Sequence, residues 1–217
     1  MQGQSWNAKG VGGVLRVALR PSLAVPQLSV ASVASLDFGK LKRAGVRVLA
    51  FDKDNTLTAP YALGIHPPLL AAWEQCLGQF GRDNVVIVSN SAGSADDAGG
   101  LEADRIERAL GVKVLRHTEK KPGGARFLLA HFNAFEPAQM AVVGDRLLTD
   151  IVYANALGAV SIHTTQIITE QGDNPFARIL RRVENRFLLP LLRGCGVRPP
   201  PHPFFSSAAF SREGNEK

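Results

Sequence analysis

Short apolar runs at Val46–Phe51, Val85–Val88, Val112–Leu115 and Met140–Val143 alternate with helical patterns near 67–80, 95–110, 122–132 and 147–157. Runs of this length bounded by turn residues read as buried strands. Their alternation with helices predicts an α/β fold, a Rossmann-like parallel sheet flanked by helices on both faces. Ligands of such sheets sit beyond the carboxyl ends of the strands. Each run stops at a polar cluster: Asp52-Lys53-Asp54-Asn55-Thr56, Ser89-Asn90-Ser91, the segment from His117 to Gly123, and the segment from Gly144 to Asp150.

The first cluster sets the chemistry. Two carboxylates at one strand mouth, Asp52 and Asp54, can be held against their mutual repulsion by a divalent cation. Asp52 can attack phosphorus in line and form an aspartyl-phosphate, and Asp54 can protonate the departing alkoxide and then take a proton from water. A threonine at position 54 would instead suit a long-lived phosphoenzyme, so the acid/base here argues for a phosphatase. Taken alone, an acidic pair at a strand end also fits a helix cap or a solvated turn. Ser89 and Asn90 offer a hydroxyl and backbone N–H groups to phosphate oxygens, or cap the next helix. Lys120 and Lys121 supply a cation, and Asp145 and Asp150 supply oxygens for a magnesium ion. The four clusters follow one another in the order that a single phosphoryl-transfer mechanism requires.

The set resembles the four motifs of the haloacid dehalogenase superfamily. The longer strings, from Phe51 to Tyr61, Val88 to Gly93, Val114 to His117 with Lys120-Lys121-Pro122 after it, and Val143 to Arg146, are similar to those of the phosphatidylglycerophosphate phosphatases of mitochondria and plastids. The resemblance covers about Val11 to Arg193 and includes the stretch from Arg20 to Pro26. It implies Asp52 as nucleophile, Asp54 as general acid/base and Lys121 as the catalytic cation, with Lys120 as the alternative. Ser89, Asn90 and Thr56 would bind phosphate. Mg2+ would be held by Asp52, the carbonyl of Asp54, Asp145 and either directly or indirectly Asp150. The implied reaction is hydrolysis of phosphatidylglycerophosphate to phosphatidylglycerol, feeding cardiolipin or thylakoid lipid synthesis. A phosphatase of protein or soluble phosphomonoesters is the second reading, and a catalytically silent membrane scaffold the third.

Only about thirty residues separate successive clusters, enough for one helix and its connection, so no cap domain is expected between them. An open site suits a phosphate presented on a macromolecule or at a membrane surface. No apolar stretch reaches the roughly eighteen residues of a spanning helix. Residues 1–40 form a basic segment in which Val11, Val14, Leu15 and Ala18 oppose Lys9, Arg16 and Arg20, as in a membrane-surface helix, a targeting peptide or a docked helix. Residues 41–193 make the catalytic domain and 194–217 a flexible Pro-rich tail. In the stripe Phe176, Ile179, Leu180, Val183 and Phe187, beside Arg178, Arg181, Arg182 and Arg186, core packing with a basic outer face is expected, with membrane contact as the second reading.

The net charge of +6 favours anionic surfaces, and without a nucleic-acid motif the expected partner is phospholipid. No protein partner is evident. Two cysteines make neither a disulfide framework nor a metal cluster, consistent with a reducing interior such as a matrix or stroma. The resemblance implies a mitochondrial or chloroplast location, peripheral on the matrix or stromal side of the inner membrane.

Overall fold

The computed structural model describes residues 17–204. Every residue of Val48–Phe51 is buried, as befits a strand covered on both faces. This is β2 of one parallel sheet that also contains β1 (Leu28–Val30), β3 (Val85–Ile87), β4 (Lys113–Val114), β5 (Met140–Gly144) and β6 (Val160–Thr164). The strand order is β1-β6-β5-β2-β3-β4. The chain therefore runs outward from β2 through β3 to β4, then returns to lay β5 on the other flank of β2. That reversal makes the β2/β5 boundary the switch point, where the mouths of two strands are not bridged by one connection.

Register brings the strand ends level. Phe51 stands opposite Ile87 on one side and Val143 on the other. The backbone bonds continue past the strands, with Val88 N donating to Phe51 O and Asp52 N donating to Val143 O, each at 2.8 Å. Side-chain alternation splits the core in two. Leu49, Phe51, Ile87 and Val143 pack with Phe38, Leu41, Trp73 and Cys76, and the Phe51 and Trp73 rings meet edge-on with centroids 5.7 Å apart. Val48, Ala50, Val86 and Val142 pack on the opposite face with Leu128, Phe132 and Tyr153.

The α-helices that follow β1 are α1 (Phe38–Arg43), α2 (Leu70–Phe80), α3 (Leu101–Leu110), α4 (Ala125–His131), α5 (Val152–Leu157), α6 (Pro175–Val183) and α7 (Leu189–Gly194). Asp37 caps α1 by accepting from Lys40 N at 2.7 Å, and Asn174 caps α6 by accepting from the N–H groups of Phe176 and Ala177. Between β2 and β3 the one α-helix is α2, and between β3 and β4 it is α3, so no cap domain is inserted at either place.

Part of the stretch that the sequence assigns to a separate N-terminal segment belongs to the sheet. β1 pairs in parallel with β6, and Asn155 Nδ2 donates to Leu23 O and Val25 O at 2.8 and 2.9 Å. Farther along, Gln27 Nε2 reaches Pro200 O at 3.3 Å, within the expected tail. The amphipathic positions Val11, Val14 and Leu15 lie outside the described residues. No helix among the described residues is long and apolar enough to cross a membrane.

The C-terminal helical stretch corrects one expectation. α6 continues through a π-helical turn (Glu184–Leu188) into α7, and the stripe expected in the core points outward: Phe176, Ile179, Val183 and Phe187 are exposed. Arg181 and Glu184 are buried instead. The reason is that both charged groups have committed partners beneath the helix, at the strand mouths, and a buried charge so paired dictates which face turns inward.

Candidate active site

Four buried or half-buried ionisable groups converge at the β2/β5 switch point. Lys121 Nζ lies 2.7 Å from Asp52 Oδ1 and 2.6 Å from Asp150 Oδ1. Asp145, in the same loop as Asp150, completes a triad with Asp52: one oxygen from each of Asp52, Asp145 and Asp150 falls within 4.8 Å of the others. Burial pushes the Asp145 carboxyl up, against the pull of Arg181, and the negative neighbours Asp52 and Asp150 push it further, to about 8. Asp52 is raised in the same way, chiefly by burial and with Lys121 opposing. Burial works against the Lys121 ammonium, yet Asp150 and Asp52 hold it charged above its usual range.

Local sequence builds this arrangement. Gly144 ends β5 because a Cβ there would fall within 2.5 Å of the Asp150 side chain, so only a glycine lets the returning π-helical turn (Leu147–Ile151) fold back against the strand. Asp150 Oδ2 accepts from Arg146 N at 3.2 Å and closes the loop. Arg146 itself is half-buried, with Nε lacking a hydrogen-bond partner, and its charge faces Glu184. Lys121 is set by Asn90: Lys121 N donates to Asn90 Oδ1 at 2.7 Å and Asn90 Nδ2 donates to Lys121 O at 3.3 Å. Lys120 points elsewhere and pairs with Asp96 near the surface.

The remaining expected residues are placed as follows. Ser89 Oγ lies 3.0 Å from Ser91 Oγ and accepts from Ser91 N at 3.2 Å, while its carbonyl accepts from His117 Nε2 at 2.8 Å. Thr56 Oγ1 is buried without a partner. Asp54 is outside the carboxylate triad; its Oδ1 accepts from Lys53 Nζ at 2.6 Å and from Tyr61 N at 3.1 Å, and a third of its side chain is exposed. Asn90 thus serves through its side chain to position Lys121.

Sequence reasoning missed two braces from the C-terminal helix. Arg181 Nε pairs with Asp145 Oδ2, and Arg181 Nη1 lies 2.7 Å from Asp173 Oδ2. Glu184 Oε2 accepts from Leu147 N at 2.8 Å, at the start of the π-helical turn. A third link runs from the first loop: Asn55 Nδ2 donates to Asp173 Oδ2, and Asn55 Oδ1 accepts from Thr169 N at 3.0 Å. Asn55 has a positive φ of 62°, a conformation that asparagine tolerates better than most residues. The available signal was Glu184, the one acid in an arginine-rich helix, at i+3 from Arg181.

The donor set fits a small hard cation. Three carboxylates share the site with two protein cations, Lys121 and Arg181, and Asp145 Oδ1 is buried with no hydrogen-bond partner. An oxygen-only cluster of that kind matches the ligand preference of magnesium.

An acidic, lysine-bridged centre at the switch point of an uncapped parallel sheet is the arrangement of a phosphatase of the haloacid dehalogenase type. The family described as mitochondrial PGP phosphatase matches residues 8–169. Over 97% of its length the chain is 41% identical to the chloroplastic phosphatidylglycerophosphate phosphatase 1 of Chlamydomonas reinhardtii, covering 79% of that protein. It is 38% identical to the chloroplastic/mitochondrial phosphatidylglycerophosphate phosphatase 1 of Arabidopsis thaliana, over 94% of this chain and 58% of the relative. With the mitochondrial phosphatidylglycerophosphatase GEP4 of Saccharomyces cerevisiae the identity is 32%, over 82% of this chain and 97% of the relative. The chain belongs to the mitochondrial PGP phosphatase family.

Proposed function

We propose that the protein is a magnesium-dependent phosphatase that hydrolyses phosphatidylglycerophosphate to phosphatidylglycerol and inorganic phosphate through an aspartyl-phosphate on Asp52. The observation that carries the reading is the exposure of the triad: the side chain of Asp52 keeps 16% of its surface open, whereas Asp145 and Asp150 keep 1% each. Of three converging carboxylates, one can meet a substrate and two can hold a cation behind it.

In this reading an Asp52 oxygen attacks phosphorus in line, the P–O bond to the glycerol carbon chain breaks, and the leaving alkoxide takes a proton from Asp54. Asp54 then removes a proton from the water that attacks the phosphoenzyme, releasing phosphate and restoring Asp52. Its partial exposure and its place on the loop after β2 suit both transfers. Lys121 favours the ionised form of Asp52 against the effect of burial and offsets charge on the transferring group, and Ser89 with its neighbouring N–H groups holds phosphoryl oxygens. Asp52, Asp145 and Asp150 would hold Mg2+, with the carbonyl of Asp54 as a further ligand. When bound, the ion supplies charge neutralisation for the phosphoryl group.

The lipid substrate is supported by the family and by the uncapped site, which leaves room for a phosphate that stays attached to a membrane. The relatives are chloroplastic or mitochondrial proteins, which supports a place in one of these organelles, peripheral on the matrix or stromal side of the inner membrane. The test is phosphate release from phosphatidylglycerophosphate in mixed micelles. Turnover that appears with magnesium, disappears with chelator and is lost in Asp52→Asn is expected. Turnover retained by Asp52→Asn removes the nucleophile, and equal turnover on a headgroup analogue lacking acyl chains removes the lipid preference.

A further inference from the structure

Among the described residues, five of the eleven exposed large hydrophobic side chains lie on the outer face of the C-terminal helical stretch. Phe176, Ile179, Val183, Phe187 and Leu191 fall along one side of α6, the π-helical turn and α7, and all five are exposed, Phe176 at 74% and Phe187 at 64%. Three of them directly follow an arginine, in the pairs Arg178-Ile179, Arg182-Val183 and Arg186-Phe187. Arg182 and Arg186 are exposed, with Arg182 paired to Glu170. Glu184, the one acid between Pro175 and Gly194, is turned inward to Leu147 N. The outward surface of the helical stretch is therefore an apolar ridge with an arginine edge, in which Arg182 is answered by Glu170 and the helices' own acid is turned inward.

We propose that this ridge is the protein's docking surface for an anionic phospholipid bilayer. The apolar side chains would enter the boundary between headgroups and acyl chains, and the guanidinium groups would lie at phosphate level. Charge decides between a bilayer and a second copy of the chain. With a net charge of +6 and arginines along the ridge, self-association would bring like charges together, whereas anionic lipid answers both halves of the surface.

The ridge is also tied to the loops of the catalytic centre. It begins three residues after Asp173, which receives Asn55 Nδ2 from the first catalytic loop and Arg181 Nη1 from the inner face of α6. A second exposed apolar pair, Tyr61 and Leu63, stands on the loop that Asp54 holds through Tyr61 N. The proposal deepens the phospholipid reading and rests on it for the choice of lipid as partner.

The test is co-sedimentation of the full chain with phosphatidylcholine vesicles, with and without phosphatidylglycerol, alongside turnover of a water-soluble phosphomonoester. Wild-type protein should bind the anionic vesicles. The Phe176→Ser/Phe187→Ser variant should bind them at least about tenfold more weakly, with unchanged melting temperature and unchanged soluble turnover. Arg186→Gln should lose about fivefold on anionic vesicles and nothing on neutral ones. Vesicle binding by Phe176→Ser/Phe187→Ser equal to wild type overturns the proposal. If its apparent mass in size exclusion also falls, the ridge belongs to a second copy instead. Absence of soluble turnover in the wild type counts against the phosphatase reading alone, because vesicle binding judges the ridge separately.

Discussion

Arg181 and Asp145 join the last helical stretch of the chain to the mouth of β5, with both side chains almost fully buried. Arg181 also holds Asp173, so one guanidinium neutralises a carboxylate of the catalytic centre and fixes the segment that leads into α6. Removing one partner of a buried pair costs more than the pair contributes, since the group left behind must either stay charged without solvent or take up a proton. Arg181→Met is expected to lower unfolding free energy by about 3 kcal/mol in urea titrations with chelator present. Magnesium should recover more stability in this variant than in wild type, because Asp145 then lacks its other counter-charge.

Lys121 and Lys120 are adjacent in sequence and opposite in environment. Lys121→Ala leaves Asp52 and Asp150 facing each other without the ammonium between them, and should lower turnover by about a hundredfold or more. Lys120→Ala removes a surface pair with Asp96, an interaction worth about 0–1 kcal/mol, and should leave turnover within about twofold of wild type. Steady-state phosphate release for the two variants checks the assignment; the reverse ranking would hand the catalytic role to Lys120.

Gly144→Ala places a methyl group on the Asp150 side chain. Relief requires Asp150 or the strand end to move, and overpacking of this kind costs about 1–3 kcal/mol. Because Asp150 pairs with Lys121, turnover should fall along with the melting temperature, which separates this variant from a merely destabilised one such as a surface change.

Asp97 ties the Ser89 loop to α3 by accepting from Gly93 N at 2.8 Å and from the N–H groups of Glu102 and Ala103, each at 3.0 Å. Burial acts to raise its carboxyl, but these backbone donors and the charge of Arg116 hold it below the usual range. A carboxyl lowered on folding stabilises the protein above its unfolded-state value, near about 3.9, and the contribution fades as pH falls through the folded value. Asp97→Asn should therefore cost about 1 kcal/mol at neutral pH, kept small by partial exposure, and the gap to wild type should close toward acid. Denaturant midpoints measured across the acid range give the comparison. Gly93, at φ 72° and packed on the Leu115 carbonyl, leaves that loop little room to adjust.

The sequence was most readable where strands are buried on both faces. β2, β3 and β5 are near-continuous apolar runs, and each stops at a cluster that the register brings level, so the amino-acid pattern alone places Asp52, Ser89 and Asp145 at one edge. β6 was harder to see because Ser161 and His163 interrupt it, and both are buried with partners distant in sequence, Gln27 for Ser161 and the Asp145 carbonyl for His163. β1 is a three-residue edge strand that is half-exposed along its length. The facing of α6 was illegible for a different reason: periodicity finds a stripe but does not say which side meets the protein, and here the inward side was chosen by the partners of Arg181 and Glu184. Asp54 shows the same limit at the site itself, since spacing put it beside Asp52 and gave no hint of its bond to Tyr61 N.

The helical braces have one more consequence. The recognised family region ends at residue 169, short of both Arg181 and Glu184. A fragment trimmed to that boundary would retain every motif by which the chain is known, yet it would leave the Asp145 carboxylate without its guanidinium and the turn at Leu147 without its acceptor.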